Sequence, residues 1–258
     1  FMINIAITAG GTSENMDGVR KITNISTGQL GWHCLEAILD YMLQSDTEDF
    51  HVHYLLTETA ARKTLNENQQ KFVSFIEVTD AESVFKAVDK LTKETKIDFF
   101  IHSMAVSDFT FSYAANIYRL AEEIEALQCE RGFTNDDVRF LLENPQTQHR
   151  KDEKISSDNE LIIGLKPTKK VIPLIKQNNP ATFLVGFKLL RNATEEKLMA
   201  AAEKLTAQNG CDMVFANEVS LIGEKNHEGI LIKGNKIIDR PRGKKQIAKS
   251  IVNNMLSH

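Results

Sequence analysis

Residues Ile3–Gly31 read INIAITAGGTSENMDGVRKITNISTGQLG. An apolar run, Ile3 to Ile7, ends in the adjacent glycines Gly10 and Gly11. A buried strand of an α/β sheet reads this way where it runs into a tight turn. Leu35, Ile38, Leu39 and Met42 then fall at i, i+3, i+4 and i+7, the spacing of a helix that packs one face on a sheet. Ser26 or Thr27 is expected to cap that helix. The connection between strand and helix is rich in small residues and hydroxyls, and holds Asn24 and the pair Arg20–Lys21.

The same rhythm continues outward. Strands are predicted at His51 to Leu56, Lys71 to Val78, Ile97 to His102, Leu161 to Ile163, Thr182 to Phe187 and Asp212 to Ala216. Thr79 with Glu82 reads as a capping box before a helix whose stripe is Val84, Ala87, Val88 and Leu91. Val171, Leu174 and Ile175 suit a short helix. Thr194 opens another, with Glu195 and Glu196 at the positive end of its dipole and Gly210 at its stop. Ile230 to Ile232, Gly234–Asn235 and Ile237–Ile238 predict a hairpin, and Ile247, Ile251 and Met255 a final helix. The alternation breaks at about 109–160. That insertion has helical spacing from Asn116 to Gln128 and no clear pattern from Arg131 to Asp158, as expected of a lid or an interface. The fold class that follows is α/β: one domain over 2–258, a Rossmann-like, mostly parallel sheet with helices on both faces. The flap or dimerisation insertion and the C-terminal β-hairpin are added to it.

Thirty-one Lys and Arg against 35 Asp and Glu leave a net charge of -4, without the basic excess of a nucleic-acid binder. Cys34, Cys129 and Cys211 are sparse and form no CxxC pair, so reduced, buried thiols in a cytoplasmic protein are expected. No apolar run approaches the ~18–20 residues of a membrane span, and no signal peptide is expected. His51 and His53 alternate along one strand without a third ligand, so no zinc site is expected. No Ser-His-Asp or Cys-His pattern offers a covalent nucleophile.

In open α/β sheets ligands bind beyond the carboxyl ends of the strands. This selects Gly10, Gly11, Ala105, Asp108, Phe187, Lys188 and Asn217. Gly10–Gly11 serves either a tight turn or the approach of a ligand. Asn24 to Gly31 opens a helix, where free N–H groups can hold phosphate and Gly28 and Gly31 permit close approach; a closely packed helix start would use the same residues. The spacing matches neither the P-loop nor GxGxxG. Arg20 suits bidentate anion contact, and Lys21 a solvated charge. Asp108 reads as an acceptor, a Mg²⁺ contact or a helix cap. Lys154, in Glu153-Lys154-Ile155, reads as solvated.

The segments TAGGT and VRKITNISTGQLG, then MAVSDF, EKIS, GLKPTKKVI, LVGFKLL and FANEV, resemble phosphopantothenate–cysteine ligases in order and spacing over almost the whole chain. Met104 stands where that family usually has Ala, and the segment between Asp108 and Lys154 is longer than in many members. The resemblance implies a stand-alone bacterial form with no fused decarboxylase domain. It implies that 4′-phosphopantothenate and L-cysteine are joined through an acyl-nucleotide on the route to coenzyme A. Mg²⁺ is implied as cofactor, with CTP as cosubstrate in bacterial members and ATP in eukaryotic ones; FKLL resembles both patterns. Carried over, Gly10, Ser26, Gly28 and Gly31 line the nucleotide site, with Phe187 and Asn217 near base and ribose. Asn24, Ala105 and Asp108 hold the phosphopantothenate arm, and Asn24 also orients the acyl-nucleotide. Arg20 reaches the substrate phosphate of a neighbouring subunit, which implies a homodimer. Lys154 is the flap lysine of the activation step. An NAD(P)-dependent oxidoreductase and a non-catalytic nucleotide-binding protein are the alternatives.

Overall fold

A computed structural model describes residues 2–45, 47–131, 134–149, 160–218 and 227–257. In chain order its elements begin with β1 (Ile3–Ala9), β2 (Ser13–Asn15), β3 (Lys21–Thr23), α1 (Gln29–Gln44), β4 (Phe50–Thr57), α2 (Glu67–Gln70) and β5 (Val73–Val78). There follow α3 (Ala81–Glu94), β6 (Phe99–His102), β7 (Phe109–Asn116), α4 (Ile117–Arg131), α5 (Asn135–Glu143), β8 (Gln148–His149) and β9 (Leu161–Pro167). The chain closes with α6 (Ile172–Asn178), β10 (Phe183–Leu190), α7 (Glu195–Asn209), β11 (Met213–Glu218), β12 (Gly229–Lys233), β13 (Lys236–Asp239) and α8 (Lys244–Leu256). These elements form two compact units. One comprises the chain up to Thr12, Asn24–Val106 and everything from Lys169; the other comprises Ser13–Thr23 and Ser107–Thr168.

The first unit holds an eight-stranded sheet in the order β13-β12-β11-β10-β6-β1-β4-β5. From β11 to β5 the neighbours are parallel, and the hairpin β12–β13 adds two antiparallel strands at one end. From β1 the chain first builds outward through β4 and β5. It then returns to lay β6, β10 and β11 on the other side, so the order reverses between β1 and β6. Successive side chains of a strand point to opposite faces, and both faces are covered. Ile5 and Ile7 pack with Trp32, Leu35 and Ile38 of α1 and Ile247, Ile251 and Met255 of α8. Ala6 packs on the other face with Val84 and Val88 of α3, Ile175 of α6, and Leu198 and Ala202 of α7. That double coverage is why β1 reads as a continuous apolar run. Trp32 anchors α1 edge-on to Tyr54, with ring centroids 5.7 Å apart, and stacks over Phe75 at 6.4 Å.

Two expected caps are corrected. Neither Ser26 nor Thr27 caps α1; the N-cap is Gly28 at φ 64, without a side-chain cap bond. The box before α3 is Asp80 with Ser83 rather than Thr79 with Glu82. Asp80 is extended, and its carboxylate accepts the Ser83 N–H at 2.8 Å, whereas Thr79 stands one residue too early. Thr194 and Gly210 do bound α7 as expected, Gly210 in the left-handed region.

The second unit corrects the picture of a long irregular insertion. β7 pairs antiparallel with β9 along its whole length and with β8 at Ala114 and Ala115. β2 and β3 form a separate antiparallel pair. Phe111 and Ala114 make a small core with Met16 and Leu161. The alternation Phe109, Phe111, Tyr113 with Thr110 and Ser112 carried the signal for β7. Strand β9 also runs to Pro167, beyond the predicted Ile163. Helix α4 lies where helical spacing placed it. Lys154 lies outside the described residues.

Cys34 and Cys211 are buried free thiols, each pushed up to about 12 by desolvation. Among the described residues no helix is long and apolar enough to cross a membrane. Burial holds His53 and His102 down to about 4, with the neighbouring His51 adding to the effect at His53. An unfolded histidine titrates near ~6.5, so the unfolded chain binds more protons than the folded one between about pH 6.5 and 4. The contribution to stability is full above that window and is lost as pH falls through it. Thermal unfolding midpoints should therefore decline from pH 7 to pH 5, and His53→Gln should flatten the slope. A midpoint independent of pH over that range would contradict this account.

Candidate functional site

Most of the singled-out residues of the first unit meet at the carboxyl end of the sheet. The Ala105 N–H donates to the Gly10 carbonyl at 2.9 Å, and the Thr12 N–H donates to the Ala105 carbonyl at 3.1 Å. Gly11 and Ala105 thus form a short parallel bridge beyond the ends of β1 and β6. The Asn24 N–H donates to the Thr12 carbonyl at 3.0 Å, which brings Asn24 to the same place.

Glycines set the closeness of these approaches. Gly10 has φ 97, and a Cβ there would lie 2.1 Å from Thr57 Oγ1 and 2.9 Å from the Ala60 Cβ. A Cβ on Gly28, at φ 64, would lie 2.8 Å from the Ala60 Cβ and 3.1 Å from the Gly10 nitrogen. A Cβ on Gly31 would reach the Ala9 Cβ at 2.6 Å and Ser103 Oγ at 2.9 Å. The three glycines therefore leave room for neighbouring side chains, Thr57 and Ala60 at Gly10, Ala60 at Gly28, and Ala9 and Ser103 at Gly31, and the strand ends and the start of α1 pack closely through them. Ser26 Oγ accepts the Gly28 N–H at 3.4 Å, and the Ala61 N–H donates to the Thr27 carbonyl at 2.8 Å, tying this turn to the loop after β4.

The first-turn amides of a helix have no intrahelical carbonyl to donate to. At α1 no side-chain cap is present and no acidic residue stands in the first turn, so the positive end of its dipole is uncompensated. Beside it, Thr57 Oγ1 is buried without a partner. Together these features suit an anionic, acceptor-rich group such as a phosphate.

Phe187 and Asn217 lie farther along the same sheet edge. Phe187 pairs in register with Phe215, and Leu189 with Asn217, so Phe187 and Asn217 face the same side. Phe187 touches the Phe215 ring at 6.0 Å between centroids. Asn217 lines a cavity of about 540 Å³ with Asn192, Glu195, Glu218, Arg240 and Arg242. Its Nδ2 lies 3.3 Å from His227 Nε2, and burial together with Lys244 lowers the pKa of that histidine.

Arg20 and Asp108 belong to the second unit. The buried Asp17 carboxylate accepts the N–H groups of Val19 at 2.8 Å and Arg20 at 2.6 Å, and pairs with the Arg20 guanidinium at 3.2 Å. That holds Arg20 at a tight turn between β2 and β3. Asp108 is exposed, and its carbonyl accepts the Thr168 N–H at 3.0 Å. Among the described residues no group of three His, Cys, Asp or Glu could hold a metal ion. Sequence reasoning gave no role to Thr57, His102 or Ser103, which also lie at or just beyond these strand ends. Their signal was present: Thr57 and His102 are the last residues of β4 and β6, each polar after an apolar pair, and Ser103 follows directly.

A family profile described as the DNA/pantothenate metabolism flavoprotein C-terminal domain matches residues 2–130 and 144–258. The coenzyme A biosynthesis bifunctional protein CoaBC of Thermococcus kodakarensis is 28% identical over 228 residues, covering 88% of this chain and 44% of its own. The chain spans about half the length of the curated relatives it matches. Among solved structures, the DNA/pantothenate metabolism flavoprotein of Streptococcus pneumoniae aligns over 99% of both chains with a TM-score of 0.78 and 29% identity. A Cab2 mutant in complex with phosphopantothenate-cysteine shares the fold, with a TM-score of 0.65 and 16% identity over 99% of this chain and 85% of its own.

Proposed function

The chain belongs to the family of the DNA/pantothenate metabolism flavoprotein C-terminal domain, and we propose that it joins 4′-phosphopantothenate to L-cysteine in coenzyme A biosynthesis. The observation that carries this reading is the glycine-tied strand edge with Asn24 and Ala105 beside the uncapped start of α1. A carboxylate forms an amide only after it acquires a better leaving group. In the reaction we propose, a carboxylate oxygen bonds to the α-phosphorus of a nucleoside triphosphate and pyrophosphate leaves. The cysteine amine then bonds to the acyl carbon, the nucleoside monophosphate leaves, and the amine gives up a proton. Preorganised backbone donors suit the charge that moves through these steps, and no enzyme nucleophile is needed.

The nucleotide is CTP in this reading, with ATP as the competing choice. Gly10, Ser26, Gly28 and Gly31 hold its phosphates, and Phe187 and Asn217 its base and ribose. Asn24, Ala105 and Asp108 hold the phosphopantothenate arm. The described residues do not make a metal cage, so Mg²⁺ is proposed to enter with the nucleotide, held by phosphates and water, where it neutralises phosphate charge. The reading includes a cytoplasmic homodimer in which Arg20 reaches the partner's substrate phosphate.

A side-by-side assay with CTP and ATP tests it. Pyrophosphate release should require nucleotide and 4′-phosphopantothenate, and the amide should appear only with cysteine. No turnover with either nucleotide would overturn the reading, and saturable binding of NAD(P) would favour the oxidoreductase. Lys154→Ala should slow acyl-nucleotide formation by about 10²-fold, as loss of one charge-stabilising contact does. An unchanged first half-reaction would remove Lys154 from that role.

A further inference from the structure

Thr8 in β1 and His102 at the end of β6 are register partners across the point where the strand order reverses. In a doubly wound sheet that point opens the ligand crevice. Thr8 is fully buried, and its Oγ1 lies 2.8 Å from His102 Nδ1. The same oxygen accepts the Met104 N–H at 3.4 Å. The Thr8 carbonyl is taken by the Ser103 amide at 3.2 Å and the Ser103 hydroxyl at 2.7 Å.

Proton accounting selects one tautomer. A threonine hydroxyl has one proton to donate, and His102 Nδ1 is the acceptor in its reach. If Nδ1 carried the proton instead, the buried hydroxyl would keep an unsatisfied donor, a cost of about 1–3 kcal/mol. Nδ1 is therefore the bare nitrogen and Nε2 carries the hydrogen. The ring is half-buried, and Nε2, unlike that of His53, is not sealed away without a partner. Burial keeps the ring neutral, with its pKa lowered to about 4. A neutral donor polarises a carbonyl without the charge that would trap the ground-state carboxylate.

The geometry points to His102 as a further substrate-contacting residue: a neutral Nε2–H donor, fixed by Thr8, that hydrogen-bonds an oxygen of the substrate's carboxyl group as it is activated. It stands three residues before Ala105, and the inference rests on the ligase reading.

Long-range ¹H–¹⁵N spectra of the wild-type chain should show Nε2 protonated and Nδ1 bare between pH 5.5 and 8 (a range of about 2.5 units set by the neutral ring). Saturating 4′-phosphopantothenate should shift the Nε2 resonance. His102→Leu should lower kcat by about 10²-fold with KM little changed, the signature of a donor that matters in the transition state. His102→Gln, which restores an N–H at about the same reach, should stay within about threefold of wild type. A protonated Nδ1, a silent Nε2 on an enzyme that turns over, or wild-type kcat in a folded His102→Leu would each overturn the role of His102 alone. A wild-type chain that neither binds 4′-phosphopantothenate nor turns over would overturn the ligase reading with it.

Discussion

Gly10→Ala should lose about 3 kcal/mol of stability, summing roughly 1–2 for a left-handed backbone and 1–3 for overpacking. Gly10 combines both penalties. Its φ of 97 lies where L side chains rarely go, and the added methyl would stand 2.1 Å from Thr57 Oγ1. The Ala60 Cβ at 2.9 Å blocks the neighbouring direction. Without a change at Thr57, relief requires the Thr57 side chain to turn away or the end of β1 to part from the end of β4, and the latter also moves the Gly10 nitrogen away from Gly28 and spoils the edge proposed for the nucleotide. A loss of that size is a large share of the ~5–15 kcal/mol typical of a folded protein. In urea the midpoint should drop with an unchanged m-value. Adding Thr57→Ala should recover part of the loss, because the clash with Thr57 goes while the backbone strain stays. A wild-type midpoint in Gly10→Ala would sink the argument. Equal loss with and without Thr57→Ala would show that the strain is all in the backbone.

Asn24→Ala should separate folding from chemistry. The backbone of Asn24 is held on its own: its N–H donates to the Thr12 carbonyl at 3.0 Å, and its carbonyl oxygen lies where a Cβ on Gly11 would come to 2.1 Å. The side chain is half-buried, and the segment keeps its place without it. Stability should therefore change by less than about 1 kcal/mol. If the side chain orients the acyl-nucleotide, acyl-nucleotide should still form at close to the wild-type rate. Amide formation should then fall by about 10²–10³-fold, the usual cost of one preorganised donor. Rapid quench with and without cysteine distinguishes the two half-reactions. Equal loss in both would assign Asn24 to binding rather than to attack by cysteine.

Much of the fold was legible because its signals are local. Burial of β1 from Ile5 onward between two helical layers shows in the run Ile3 to Ile7, and the 3.6-residue period of α1 and α8 shows as their apolar stripes. Glu195, Glu196 and Gly210 marked α7, and Gly234–Asn235 marked the hairpin, because caps and turns depend on residues adjacent in the chain. The strand-end rule also brought Gly10 and Ala105 together, although 95 positions separate them in the chain: the Ala105 N–H donates to the Gly10 carbonyl, and Gly11 bridges to Ala105.

What the sequence alone determined, then, is where the apolar strands and striped helices of the main sheet lie, whereas β2, β3, β7 and α5 were not read from it. The tertiary structure decided which strand ends meet. Ser26 and Thr27 looked like caps, but the bond from Ala61 to the Thr27 carbonyl holds the turn in a shape where Gly28 takes the cap position. Thr57 drew no notice in the sequence until the fold laid it against Gly10, and His102 was only a strand end until β6 came to rest beside Thr8. The physical reason is that hydrogen-bond partners and steric limits at the sheet edge come from neighbouring strands. Those neighbours are chosen by long-range packing, which no local pattern records.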